Sequence, residues 1–91
     1  MTIQKSDNRF YIENEQGDVV AFIEYSFENE DTLIANSTFV DPSLRGEGVA
    51  RKLLDRLASY ARENGYKIRP LCSYVVKAFK ESDAYDDVKV T

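Results

Sequence analysis

The segment Leu44-Arg45-Gly46-Glu47-Gly48-Val49-Ala50 is where residue types and spacing in this chain could do chemistry. Glycines let a backbone approach an anion without side-chain clash. The loop runs directly into a helical apolar pattern, and a helix N-terminus offers free N–H groups and a partial positive charge. Together these features make a phosphate cradle. Arg45, Arg51 and Lys52 add positive charge, whereas Glu47 would repel a phosphate unless it points away. Cys72 is the second reactive residue. With a depressed pKa it is a nucleophile. As a thiol near its ordinary pKa of about 8.5 it is a proton donor. It reads equally as a small buried hydrophobe at a strand end. Tyr74 and Tyr85 are alternative acids, or packed aromatics with wet hydroxyls. Glu24 and Glu28 read as solvated strand carboxylates that could also act as bases through water. There is no histidine, which removes the commonest general base and metal ligand. One cysteine and no histidine assemble no zinc-type cluster, so no metal site is expected.

The elements around these residues are legible from periodicity. Arg9 to Asn14 reads as a short strand, and Glu15-Gln16-Gly17-Asp18 as a hairpin turn. Val19, Ala21, Ile23, Tyr25 and Phe27 alternate with Val20, Phe22, Glu24, Ser26 and Glu28, which is a strand with one apolar face. Glu28-Asn29-Glu30-Asp31 turns the chain into a third strand, Thr32 to Val40. There Leu33, Ala35 and Phe39 are expected on one face and Ile34, Thr38 and Val40 on the other. Pro42 stops the strand. From Gly46 to Glu63 the period becomes helical, through Val49, Ala50, Leu53, Leu54, Leu57, Ala58 and Ala61. Gly65 is a natural left-handed cap. Lys67 to Cys72 reads as a strand. Ser73 caps a second helix to about Ser82, which buries Val75, Val76 and Phe79, and the tail adds a last strand through Val88 and Val90. The order β-β-β-α-β-α-(β) predicts an α+β fold. A strand–helix–strand crossover sets Lys67–Cys72 parallel to Thr32–Val40 in a mixed sheet.

With 91 residues, a single domain over 1–91 is expected, holding one modest core and one cleft. The net charge is −4, from twelve basic and sixteen acidic residues, so no basic excess points to nucleic acid. A lone cysteine allows no internal disulfide. No leader or long apolar run is read, so no membrane association is expected and a reducing cytoplasm is the default.

At the glycine loop the chain resembles a known family. Arg45-x-x-Gly48-x-Ala50 fits the Arg/Gln-x-x-Gly-x-Gly/Ala signature of the GNAT N-acetyltransferase superfamily. More narrowly, the chain resembles the minimal YjdJ-type GNAT proteins through Thr38-Phe39-Val40, Ala61-Arg62-Glu63-Asn64-Gly65 and Pro70-Leu71-Cys72-Ser73-Tyr74-Val75. The resemblance implies that Thr32–Val40 and Lys67–Cys72 splay apart and admit the pantetheine arm of acetyl-CoA. It implies cofactor contacts from Phe39, Val40, Arg45, Gly46, Glu47, Gly48, Val49, Ala50, Arg51 and Ser73, and catalytic roles for Cys72 and Tyr74. The family usually carries His where this chain has Ser37, and His-Pro-Glu-Tyr where it has Ser82-Asp83-Ala84-Tyr85, so only Tyr85 matches there.

The resemblance implies an N-acetyltransferase that moves acetyl from acetyl-CoA to a primary amine, on a protein lysine, a polyamine or a small metabolite. A non-catalytic acetyl-CoA or acyl-CoA-binding module is the alternative, and an interaction domain without a ligand is a third. A monomer or weak homodimer is expected.

Overall fold

The computed structural model describes residues 2–90. The elements are β1 (Gln4–Ser6), β2 (Arg9–Glu13), β3 (Val19–Asn29), β4 (Thr32–Val40), a 3-10 turn (Pro42–Leu44), α1 (Val49–Asn64), β5 (Lys67–Pro70) and α2 (Ser73–Glu81). The strands lie in the order β1-β2-β3-β4-β5. The first four are antiparallel neighbours, and β5 joins β4 in parallel. The expected α+β architecture with a mixed sheet is therefore present. A three-residue strand, β1, lies ahead of the elements read from sequence; Gln4-Lys5-Ser6 has no apolar alternation to reveal it, and it forms because it pairs with β2.

Both helices cover one face of the sheet. Val49, Leu53, Leu54, Leu57, Ala58 and Ala61 of α1 meet Phe10, Ile12, Ala21, Ile23, Tyr25, Leu33 and Ala35 of the strands. Val75, Ala78 and Phe79 of α2 and Tyr85 and Val88 of the tail join the same cluster, while Val76 is only half-buried. Each fully buried leucine contributes roughly 1.5–3 kcal/mol through apolar burial. The opposite face holds Tyr11, Phe22, Glu24, Ser26, Ile34 and Ser37, all half-buried, so it stays open. Of the apolar face expected in β3, Ala21, Ile23 and Tyr25 are buried, whereas Val19 and Phe27 at its ends are 38% and 49% exposed.

Strand β4 departs from strict alternation. Glu24 pairs with Ser37 but Tyr25 pairs with Ala35, so Asn36 is an extra residue in a β-bulge. Residues directly opposite in an antiparallel pair share a face. Thr38 and Val40 lie opposite buried Ile23 and Ala21, so they join Leu33 and Ala35 on the helix side. Phe39 is turned to the open face, 39% exposed, with its ring 5.5 Å from that of Phe22. The expected grouping of Leu33 and Ala35 with Phe39, and of Ile34 with Thr38 and Val40, is thus wrong beyond the bulge. A period of two carries no mark of one inserted residue.

Strand β5 is shorter than the expected Lys67–Cys72. It pairs Thr32↔Lys67 through Ala35↔Pro70 and ends there. Leu71 and Cys72 both donate their N–H to Ala35 O, at 3.1 and 2.9 Å, and the chain turns away into α2. Strand β4 runs on to Val40 against β3 but without β5, which is the splay the resemblance implies. The tail is anchored to β5 by Ile68 N–H to Val88 O at 2.6 Å and Val90 N–H to Ile68 O at 3.2 Å. That is one bridge, not the strand expected through Val88 and Val90. The next bond of a parallel ladder would need an N–H on Pro70, which proline lacks.

Candidate active site

The loop between β4 and α1 is built to hold its backbone open. Asp41 Oδ2 accepts from Ser43 N–H at 3.0 Å and from Ser43 Oγ at 2.5 Å, fixing the turn at Pro42. Gly46 and Gly48 then take φ of 87° and 72°, a left-handed region that L side chains avoid. The first bond of α1 runs from Lys52 N–H to Gly48 O, at 3.1 Å. The N–H groups of Val49, Ala50 and Arg51 therefore have no acceptor within the helix. The first turn holds no acidic residue, so nothing on the helix itself offsets the positive end of its dipole.

These groups face a cleft of about 240 Å³ lined by Val40, Leu44, Arg45, Gly46, Gly48, Val49, Ala50, Arg51 and Tyr74. Seven of the ten residues expected to touch cofactor line this one cleft, as does Tyr74. Phe39, Glu47 and Ser73 do not. Phe39 is on the far face because of the bulge, and Glu47 is exposed. Leu44, which opens the loop read from the sequence but was given no cofactor contact there, supplies apolar wall. Arg45 Nε lies 3.4 Å from Val40 O, so one cation sits where β4 ends.

Val40 at the end of β4 and Tyr74 of α2 both line the cleft, so it borders the gap left between β4 and β5. Asp41 N–H donates to Val20 O, so Asp41 faces β3. Backbone direction alternates along a strand, so Thr38 and Val40 turn their N–H and C=O groups toward the gap. Across it, Cys72 Sγ–H donates to Thr38 Oγ1 at 3.5 Å. Cys72 is the N-cap of α2 and is half-buried. Burial pushes the thiol up, but the Thr38 hydroxyl and the N–H groups of Val75 and Tyr74 outweigh it and hold the pKa below the ordinary value. Cys72 is not among the residues lining the cleft itself; it stands at the head of the gap.

The GCN5-related N-acetyl-transferase family matches residues 9–88. The chain belongs to this family. A GCN5-like protein of Staphylococcus aureus, solved by NMR, is 34% identical over 98% of this chain and 87% of its own, with a TM-score of 0.83. A GNAT family N-acetyltransferase of Escherichia coli, crystallised with CoA, is 21% identical over 78% of this chain and 43% of its own, with a TM-score of 0.65. A Bacillus cereus acetyltransferase is 23% identical over 80% and 53%, with a TM-score of 0.64. The chain thus spans about half the length of these two larger GNAT structures, and they speak for the fold alone. No protein of curated function matches.

Other candidate residues of this GNAT chain are brought to different places. Tyr85 is 1% exposed, stacks on Phe79 with ring centroids 5.3 Å apart, and donates its hydroxyl to Asp55 Oδ1 at 2.5 Å. Burial, and next the Asp55 bond, push its pKa up. A phenol so committed is a poor proton donor to the cleft. Tyr74 is half-buried at the cleft wall, and burial raises its pKa while Arg51 opposes the rise. Glu24 lies on the open face, where Arg9 Nη2 donates to it at 2.6 Å and Ser37 Oγ at 2.9 Å. The Arg9 bond and then the Ser37 bond hold its pKa below the ordinary range. Glu28 is paired with Arg69, whose hydrogen bond likewise lowers its pKa. Among the described residues no helix is long and apolar enough to cross a membrane, and no three potential ligands gather as a metal site.

Proposed function

We propose that this GNAT chain transfers acetyl from acetyl-CoA to a primary amine. The observation that carries the reading is the adjacency of two features. A cleft lined by the first turn of α1, Arg45 and Arg51 borders the β4–β5 gap, at whose head Cys72 stands beside Thr38. The free N–H groups and guanidinium groups suit phosphate. Among the described residues, an added Cβ on Gly46 or Gly48 would meet no atom within 4 Å beyond its own chain neighbours, so the cradle has open room for a ligand. The gap offers the strand edge of Thr38 and Val40 to an extended, amide-bearing arm.

The donor supplies a thioester carbonyl; the chain positions it and handles protons. Backbone N–H groups of α1 hold the phosphates, with Arg45 and Arg51 alongside. The unpaired edge of β4 orients the arm. Cys72 then acts in one of two ways. In one, the Cys72 sulfur attacks the thioester carbonyl and expels the carrier thiolate, which takes up the thiol's proton; the amine then attacks the acetyl-cysteine, frees the Cys72 thiolate and gives it the amine's proton. In the other arrangement the thiol returns a proton to the departing thiolate. Tyr74, at the cleft wall, is the alternative donor. The open sheet face leaves room for a bulky acceptor such as a protein lysine.

A second reading, a non-catalytic acyl-CoA-binding module, is favoured by one observation. Ser37, which stands where the family usually has His, is spent on Glu24, and Glu24 is held ionised by Arg9. Neither is a free base. Calorimetric titration with acetyl-CoA and with CoA tests the shared part of both readings, and thiol release with a panel of amines separates them. Saturable binding with turnover supports the enzyme; binding without turnover supports the module. No binding of either ligand to folded protein sinks both.

A further inference from the structure

Arg51 is held at the cleft by two residues that do not line it. Its Nε lies 3.4 Å from Asp55 Oδ1, one helical turn on, and its guanidinium sits 4.9 Å from the centre of the Tyr85 ring. Tyr85 donates its hydroxyl to that same Oδ1 at 2.5 Å. The three groups close a triangle of hydrogen bond, ion pair and cation–π contact. One corner is rigid: Tyr85 is 1% exposed and stacked on Phe79. The tail that carries it is tied down by Arg62, which donates to Asp87 at 2.6 Å and to Ala84 O at 2.8 Å.

The arrangement has a directional consequence. A guanidinium has five N–H groups in a planar fork. Asp55 engages the Nε edge, and the two terminal nitrogens have no hydrogen-bond partner among the described residues. Arg51 also lines the cleft at the first turn of α1. A surface arginine unconstrained by neighbours would lose rotamer freedom on meeting a ligand. Here the contacts with Asp55 and Tyr85 meet part of that loss in the fold.

We propose that Asp55 and Tyr85 are positioning residues that preset Arg51 for a phosphate of the acyl carrier in the cleft. The inference rests on the reading of the cleft given above. It assigns a ligand-directed role to a buried tail tyrosine that touches no ligand, and it ties the segment after α2 to the phosphate site.

A double-mutant cycle with CoA as the titrant tests it. Calorimetry is run on wild type, Tyr85→Phe, Arg51→Ala and the double variant, with melting temperatures recorded alongside. The phenylalanine keeps the ring and removes only the hydroxyl. Tyr85→Phe is expected to weaken CoA binding about three- to tenfold, as for one lost hydrogen bond, and to do nothing further once Arg51 is alanine. Asp55→Asn, at a solvent-exposed side chain, is expected to behave alike and covers the case in which Tyr85→Phe folds poorly. A loss of the same size in the Arg51→Ala background would mean that Tyr85 acts only through general stability, and overturns the proposal. So does wild-type affinity in both Tyr85→Phe and Asp55→Asn. Failure of folded wild type to bind CoA overturns the reading of the cleft, and this inference with it.

Discussion

Gly48 and Gly65 bracket α1 and offer a matched pair of perturbations. Their φ values are 72° and 73°, and among the described residues an added Cβ at either would meet no atom within 4 Å beyond its own chain neighbours. Substitution by alanine therefore acts through backbone strain alone in both places. A left-handed L residue costs roughly 1–2 kcal/mol. Alanine also narrows the unfolded ensemble, which offsets about 0.4–1 kcal/mol. Each variant is left about 1 kcal/mol less stable, and a domain of this size then melts about 4–8 °C lower. Ligand binding separates the two. Gly48 lines the cleft and Gly65 closes the far end of the helix, donating its N–H toward Ala61 and Arg62 carbonyls. A methyl group on Gly48 stands in the open space where a phosphate would seat. Loss of one hydrogen bond to a charged group is about 1.5–3 kcal/mol, or about ten- to a hundredfold in Kd. Gly48→Ala is thus expected to lose acetyl-CoA binding by calorimetry, while Gly65→Ala keeps wild-type affinity at an equal drop in melting temperature. If both variants bind acetyl-CoA alike, the phosphate cradle is misplaced and the reasoning fails.

The thiol and the sheet carry three further expectations. Alkylation of Cys72 by iodoacetamide should reach half its maximal rate at a pH below that of an ordinary thiol, and Thr38→Val should move the midpoint up, since the hydroxyl is a cause of the lowering; an unmoved midpoint would detach Thr38 from the sulfur. Among the described residues the buried Tyr25 hydroxyl has no hydrogen-bond partner, and burial pushes its pKa up to about 12. Tyr25→Phe keeps the ring stacked on Phe10 at 5.7 Å and should be neutral or stabilising by up to about 1 kcal/mol in thermal denaturation, whereas a clear loss would reveal a partner for the hydroxyl. Glu24 has a folded pKa below its unfolded value, so the stability it contributes is present above the unfolded pKa and is lost as pH falls through the folded one. An NMR titration of its carboxyl should shift upward in Arg9→Ala; no shift would show that the Arg9 pair does not form in solution.

Element type and order were legible in the sequence wherever burial imposed a clean period. The six buried positions of α1 are all apolar residues at helical spacing, and Ala21, Ile23 and Tyr25 alternate cleanly in β3. What was not legible were features set by pairing. Strand β1 has no apolar signal, and β5 stops at Pro70 although Leu71 and Cys72 read as strand residues. Leu71 is 66% exposed, so no packing holds it in the sheet. At the site, the glycine loop was readable because each glycine serves a local conformation. Asp55 was not, because its partner Tyr85 lies 30 residues away and meets it only through the packing of the tail.

The bulge at Asn36 connects the fold to the site more directly than the glycine motif of the loop does. Thr38 reaches Cys72 only because one extra residue has rotated the end of β4. Had Asn36 kept the strict alternation set by Leu33 and Ala35, with no bulge, Phe39 would lie on the helix side and Thr38 would turn away. The bulge lies one residue beyond Ala35, the last residue of β4 that pairs with β5. The strand therefore changes facing at the point where its neighbour leaves. One edge of β4 becomes free in the same stretch where its Thr38 side chain comes to face the thiol. A binding edge and a reactive group thus arise from a single local irregularity, and the two glycines that follow it need only supply the anion cradle at the other end of the gap.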